Sequence, residues 1–139
     1  MNIAPTTLSM ILWSFAAIAF VATFVLVGTR YRDLPEQIPI HFGVKGKPDN
    51  WGGRILIWLP PISMLAMAAF VLALAVVDPP DEAREREAPA FMAFYVGLLS
   101  LTLTRRMIAV AMGRAKSLGW SVPATLFVPL ALFLIYVLR

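Results

Sequence analysis

The single histidine, His41, is the side chain of this 139-residue chain best suited to metal binding or proton transfer near neutral pH. A metal site in a protein needs several ligands, and the chain has no cysteine and no second histidine. General acid–base or nucleophilic chemistry needs polar groups that converge, and the long apolar segments contain no Asp, Glu, His or Lys. We therefore predict a protein that is not an enzyme, with no catalytic residue, no metal site and no cofactor.

The histidine lies in a segment, residues 34–54, that holds three prolines and four glycines between two apolar runs. Each proline removes a backbone donor and restricts the residue before it, so a helix is not expected there. Gly46 and Asp49 supply turn chemistry, and Trp51 suits the headgroup layer of a membrane. A hydrogen bond from His41 to Asp49 would hold the segment. We predict an ordered loop rather than a slack linker.

The middle of this loop has the pattern of an extended segment. In such a conformation Ile38, Ile40 and Phe42 would share one face, and Pro39 and His41 would share the other. An apolar face in a loop predicts packing against the helices or the membrane interface.

Composition separates this chain from soluble domains. Hydrophobic residues make up 60% of it and charged residues 14%, against roughly 45–50% and 25% in soluble domains. The apolar residues are collected into long uncharged runs, which is typical of a chain whose solvent is lipid. Basic residues beside membrane spans explain the net charge of +4 without nucleic acid.

Four apolar runs predict an all-α membrane protein with four transmembrane helices and the ordered Pro/Gly-rich loop between the first two. We treat residues 1–139 as a single integral-membrane domain. The expected spans are about 8–28, 55–77, 90–112 and 121–138. The first run has no Lys or Arg before it and is longer than a typical signal-peptide core, so a signal peptide is not expected. Pro60 and Pro61 predict that the second helix begins or bends near them.

The third run is interrupted by Arg105 and Arg106. Its uncharged part, residues 90–104, would reach about 22 Å as a helix. In one interpretation the helix ends there and the arginines extend into the headgroups; in the other it continues through residues 107–113 with the arginines facing protein or water. The first is the preferred interpretation.

Basic residues predict the orientation of the spans. Nine flank the connections between the first and second spans and between the third and fourth: Arg30, Arg32, Lys45, Lys47, Arg54, Arg105, Arg106, Arg114 and Lys116. Three lie on the other side: Arg84, Arg86 and Arg139. Since the more basic side faces the cytoplasm, both termini are expected outside it.

The loop carries a motif with the pattern Leu-Pro, then Ile-Pro, then His-Phe, then Gly-x-Pro-Asp-x-Trp-Gly. Its positions are Leu34, Pro35, Ile38, Pro39, His41, Phe42, Gly46, Pro48, Asp49, Trp51 and Gly52. This motif resembles the signature of a small bacterial membrane domain of unknown function that is found at the N-terminus of Sdp-type immunity proteins. The resemblance implies a multi-pass protein of the bacterial inner membrane that protects against a toxic peptide and signals to a partner regulator.

In this chain the implied partner-binding site is the motif loop. Its expected residues are Pro35, Pro39, His41, Phe42, Gly46, Pro48, Asp49, Trp51 and Gly52, and Arg105 with Arg106 forms a possible intramembrane or interfacial charge. The expected partners are the lipid bilayer and either a peptide or other membrane subunits, but not nucleic acid.

A second hypothesis is an accessory or structural subunit of a larger membrane complex. Small residues recur at a spacing of four along the predicted helices, as in the pair Ala69 and Ala73. Such pairs let helices approach closely. They fit both hypotheses, since a helical bundle also needs them internally.

Overall fold

The computed structural model describes residues 6–77 and 87–138, and within them the chain forms four long helices and one β-hairpin. The helices are α1 (Thr7–Arg30), α2 (Leu59–Val77), α3 (Glu87–Ala111) and α4 (Ser121–Val137). The hairpin strands are β1 (Gln37–Phe42) and β2 (Pro48–Gly53), with short 3-10 helices before and after them at Tyr31–Asp33 and Arg54–Trp58. The four expected helices are present, and the ordered loop contains an antiparallel sheet that an all-α fold class omits.

Local chemistry explains where the first two helices begin. Thr6 has an extended backbone, and its side-chain oxygen accepts a hydrogen bond from the amide of Ser9 at 3.0 Å. This cap satisfies a donor that a helix N-terminus leaves open. Pro60 and Pro61 lie in the first turn of α2, where a missing amide costs no helical bond. The predicted start of the second helix near Pro60 is confirmed.

The central helix is α3, which contacts α1, α2, α4 and β1. Two clusters of buried apolar side chains hold it. The middle cluster comprises Ala16, Phe20, Ala68, Ala93 and Val96. The lower cluster comprises Val27, Leu34, Ile38, Ile57, Met107 and Ile108. Gly97 lets α1 approach α3 closely, because a Cβ there would lie 3.2 Å from the carbonyl oxygen of Ala16.

The outer faces of the helices are apolar. Phe15 of α1, Phe70 of α2 and Phe127 of α4 are each more than half exposed, an arrangement that is unfavourable in water and suited to lipid. Three helical segments, Thr7–Asp33, Arg54–Val77 and Glu87–Ala111, are long and apolar enough to cross a membrane, whereas the apolar helix α4 is shorter. The helices therefore indicate a membrane protein, with three of the four expected spans at full length.

The hairpin does not alternate faces as predicted. The register shifts between Pro39 and His41, which leaves Ile40 without a cross-strand partner. Ile38 and Pro39 are both buried, whereas Ile40 is 38% exposed. The predicted apolar face of Ile38, Ile40 and Phe42 is wrong at Ile40, because a bulge displaces the side-chain alternation by one residue.

The third helix continues through both arginines. It ends at Ala111, so the preferred interpretation, in which the helix ends at Arg105, is wrong. Arg105 is exposed, whereas Arg106 is partly buried. The Arg106 guanidinium donates to the carbonyl of Leu118 at 2.6 Å and to that of Ser117 at 3.2 Å. The alternative interpretation, with the arginines facing protein or solvent, describes the structure.

Candidate functional site

We use the name cap for residues 34–54, which contain the hairpin and the sequence motif. Leu34 and Ile38 are buried beneath the hairpin, where they pack with Met107 and Ile108 of α3. These contacts tie β1 to the central helix. The cap is therefore a packed part of the fold, as the sequence predicted.

A hydrogen-bonded pair lies on the outer face of the cap. The Nδ1 atom of His41 is 2.5 Å from Oδ1 of Asp49, which confirms the contact expected from the sequence. The two side chains are 69% and 50% exposed, so water competes with their bond and the pair adds little stability. No hydrogen bond is found for the Nε2 atom of His41 within residues 6–77 and 87–138. The pair is thus open to a ligand.

Two glycines of the motif occupy positions where another residue would strain the backbone or collide with its neighbours. Gly46 has a φ of +67°, a left-handed conformation that favours glycine. Its carbonyl accepts a hydrogen bond from the amide of Leu118, at 2.9 Å, in the connection between α3 and α4. A Cβ at Gly52 would lie 2.8 Å from Cδ1 of Leu56 and 3.0 Å from Cδ1 of Ile40. Gly46 therefore joins the cap to the next connection, and Gly52 leaves room for the side chains of Ile40 in β1 and Leu56 in the following 3-10 helix.

The remaining motif residues surround the pair. Phe42 is half-buried against the lower cluster, Pro48 is also half-buried, and Pro35 is exposed. Trp51 is 46% exposed. An indole that is half packed and half open is typical of interfaces. The structure thus brings all nine predicted loop residues into one small unit.

Positive charge collects at the cap end of the bundle. The nine bases expected on one side lie in or next to the cap and the connection between α3 and α4. The Gly46–Leu118 hydrogen bond joins these two parts of the chain. Three acidic residues, Asp33, Glu36 and Asp49, lie on the same segments. In the part of the chain that the structure describes, no Lys or Arg forms an ion pair with them. Arg84, Arg86 and Arg139, expected at the other end, lie outside the described residues.

A cleft of about 540 Å³ separates the hairpin turn from the connection between α3 and α4. One wall is formed by residues 42–46 and the other mainly by residues 117–120. Trp120 is 87% exposed, Val44 is fully exposed, and Lys45 is the charged residue of the lining. Sequence reasoning missed this cleft because its walls are distant in the chain. A tryptophan directly before the last apolar run was the available signal.

Arg106 fixes one wall of this cleft. Its guanidinium holds the carbonyls of Ser117 and Leu118, as described above. Gly119 has a φ of +66°, and a Cβ there would lie 2.3 Å from Nη2 of Arg106. The wall therefore needs both a cation at position 106 and a glycine at position 119. Arg105 makes no such contact and adds to the exposed positive charge.

A second polar centre lies at the opposite end of the bundle. The carboxylate of Glu87, the first residue of α3, is buried and accepts hydrogen bonds from the hydroxyls of Thr6, at 3.1 Å, and Tyr136. These bonds link the starts of α1 and α3 to the end of α4. An acidic residue beside an apolar run was the available signal for this contact in the sequence.

Comparison with known proteins shows similarity over part of the chain. Residues 18–65 match the family model described as Domain of unknown function (DUF1648). An uncharacterized protein of Archaeoglobus fulgidus is 35% identical over 78 residues, which cover 52% of this chain and 42% of that relative. The chain thus spans less than half the length of that curated relative. No solved structure matches the chain. The cap lies wholly inside the segment that is similar to the DUF1648 domain.

Proposed function

We propose that this protein is a non-enzymatic membrane protein that recognises a peptide through the outer face of the cap. This is the activity that the resemblance to Sdp-type immunity proteins implies. One observation carries the proposal. The hairpin is packed against the central helix α3 and exposes His41, Asp49 and Trp51 on its surface. Residues 18–65 match a domain of unknown function, and in this chain they overlap two helical segments long and apolar enough to cross a membrane, which is compatible with the proposal.

The hairpin also has a backbone suited to peptide binding. Among residues 6–77 and 87–138, β2 pairs with β1 alone, so its other edge has no strand partner there. An extended peptide can add to such an edge by main-chain hydrogen bonds, with side-chain contacts supplying specificity. The surplus of bases at this end favours an acidic peptide.

The proposed location is the inner membrane of a bacterial cell, as a multi-pass protein with both termini outside the cytoplasm. The distribution of Lys and Arg supports this orientation, because the cap end carries nine bases. The peptide would then meet the cap on the cytoplasmic side.

A survival assay tests the proposed function. Cells that express the chain would be challenged with a panel of membrane-active peptides produced in the same cells. We expect protection by the intact chain and loss of protection by Trp51→Ala and His41→Ala at an equal amount of protein in the membrane. Phe127→Ala, on the exposed face of α4, is the control and should still protect. Equal protection by all four chains, or by none, would refute cap-mediated recognition.

A second candidate function is an accessory subunit, and α2 favours it. Among the residues of α2, Pro61 and Ala68 are buried, while Ala69 and Ala73 are exposed at a spacing of four. Such a small-residue face accepts another transmembrane helix. Purification in a mild detergent should then yield a larger partner at a fixed ratio, which Ala73→Leu would reduce and Ala124→Leu on α4 would not. Purification of the chain alone favours the peptide-recognition function.

A further inference from the structure

We infer that the cleft between the hairpin turn and the α3–α4 connection binds the headgroup of an anionic phospholipid. The cleft has a volume of about 540 Å³ and lies at the basic end of the bundle. It is separate from the outer face of the cap, on which the proposed peptide recognition rests. The two activities can therefore be lost independently.

The apolar parts of the cleft are placed for a membrane interface. Trp120 is 87% exposed and lies directly before the first residue of α4. An indole combines an apolar ring with one N–H donor, which suits the layer between headgroups and acyl chains. Farther along α4, Phe127 and Val128 are more than half exposed. The cleft thus opens beside an apolar helix whose exposed side chains suit contact with lipid.

The charge of the cleft selects an anion. Lys45 lines it, and Arg114 and Lys116 are exposed on the segment that leads into its other wall. Among the described residues none of these three pairs with an acidic side chain. An anionic headgroup supplies the missing negative charge. A zwitterionic choline headgroup would bring a cation toward the same bases.

The cleft is formed before any ligand arrives. Arg106 holds the carbonyls of Ser117 and Leu118. The amide of Leu118 in turn donates to the carbonyl of Gly46, which joins the α3–α4 connection to the hairpin turn. A wall held by three hydrogen bonds does not need to be ordered by the ligand, which lowers the cost of binding.

An acidic peptide could satisfy the same bases, but the position of the cleft favours lipid. A water-soluble peptide would leave the indole of Trp120 and the apolar start of α4 uncovered. A phospholipid covers both, because its phosphate meets Lys45 while its glycerol and acyl chains follow the apolar surface.

Native mass spectrometry of the full chain in a neutral detergent tests this inference. Phosphatidylglycerol and phosphatidylcholine would be supplied in equal amounts, and we expect the phosphatidylglycerol adduct to dominate. Removing one Lys near an anionic group lowers affinity about fivefold, so Lys45→Gln should weaken phosphatidylglycerol binding by that factor while Lys45→Arg retains it. Lys47→Gln is the matched control, because this lysine is exposed on the same hairpin but does not line the cleft.

Trp120→Ala should weaken phosphatidylglycerol binding as well, whereas Trp51→Ala should not, since Trp51 lies outside the cleft. Thermal unfolding of each variant checks that the bundle is intact. Equal adducts with both lipids, or equal loss in Lys45→Gln and Lys47→Gln, would overturn the inference. So would binding of free glycerol phosphate as tight as that of the lipid, or polyglutamate binding that Lys45→Gln and Trp120→Ala weaken as much as they weaken lipid binding. Loss of peptide protection in Trp51→Ala with unchanged lipid binding would separate this inference from the proposed function.

Discussion

At the scale of single residues, exposure decides how much a hydrogen bond contributes. Loss of a partner costs about 1–3 kcal/mol where the group left behind is buried. The His41 and Asp49 side chains are 69% and 50% exposed, and after truncation of either one water can hydrogen-bond the other. The pair can hold the shape of the cap locally, but it is not a major source of stability.

The first prediction concerns this pair. His41→Ala and Asp49→Ala should each lower the free energy of unfolding by less than about 1 kcal/mol. The double variant should lose less than the sum of the two, because both changes remove one shared interaction. Amide exchange of residues 37–53 measures the local effect, with Lys47→Ala as the exposed control. A loss in the double variant equal to the sum of the two single losses would show that the two side chains act independently and would contradict the shared interaction.

The second prediction uses two glycines with nearly the same backbone angle. Gly119 and Gly113 have φ values of +66° and +71°, but a Cβ would meet Arg106 at 2.3 Å at position 119 and open space at position 113. Both Ala variants carry the strain of a positive φ. Gly119→Ala should cost about 1.5–3 kcal/mol more, because it displaces a guanidinium from its carbonyl partners.

Thermal unfolding in one detergent compares these variants. In an Arg106→Ala background, Gly119→Ala and Gly113→Ala should become equally destabilising, since the contact is already gone. A difference that persists without the Arg106 side chain would contradict the assigned role of this arginine.

At the scale of elements, the bundle depends on close packing of α1 against α3. The two helices approach at Gly97, where a Cβ would lie 3.2 Å from the carbonyl oxygen of Ala16 and 3.4 Å from its Cα. Both atoms belong to the backbone, which cannot move aside as a flexible side chain can. In lipid, where apolar surface gains little from leaving the solvent, such packing is a main source of helix association.

The third prediction follows from this approach. Gly97→Val should destabilise the bundle by about 1–3 kcal/mol, the usual cost of overpacking, although valine is the better helix former. Gly28→Val in α1 is the control, because nothing lies within 4 Å of a Cβ there. Thermal unfolding in detergent should give a lower midpoint for Gly97→Val and an unchanged or higher one for Gly28→Val. Equal midpoints would mean that α1 and α3 are not held at this contact.

At the scale of the whole molecule, the described residues form a bundle with chemically different ends. The cap end carries the nine bases and the cleft. At the other end the buried carboxylate of Glu87 joins α1, α3 and α4 through Thr6 and Tyr136. Such an asymmetry biases insertion, because Lys and Arg beside the spans are retained in the cytoplasm.

The fourth prediction concerns orientation. A topology reporter fused after residue 139 should be active only outside the cytoplasm, and one inserted between Val44 and Lys45 should be active only inside it. Replacing the basic residues of the cap by Gln should weaken this bias. A cytoplasmic C-terminus in the unmodified chain would overturn the orientation derived from the basic residues.

Local sequence patterns determined much of this fold. The uncharged runs define where helices lie, Pro60 and Pro61 define the start of α2, and the prolines of residues 34–54 exclude a helix from the cap. The His41–Asp49 contact was also predictable, since the two residues lie near each other on either side of a turn. These features depend on neighbours in the chain, so residue type and spacing were enough.

Tertiary structure alone decided which surfaces meet. The helices are apolar on all sides, because one side packs against protein and the other suits lipid. The sequence therefore lacks the contrast between polar and apolar residues that would mark the buried face of each helix. The bulge at Ile40 depends on the pairing of β1 with β2. The continuation of α3 beyond Arg105 depends on Arg106, whose guanidinium donates to carbonyls of the α3–α4 connection. The cleft and the Glu87 contact likewise join residues far apart in the chain. Such contacts follow from the packing of whole helices, which a local pattern of residue types does not specify.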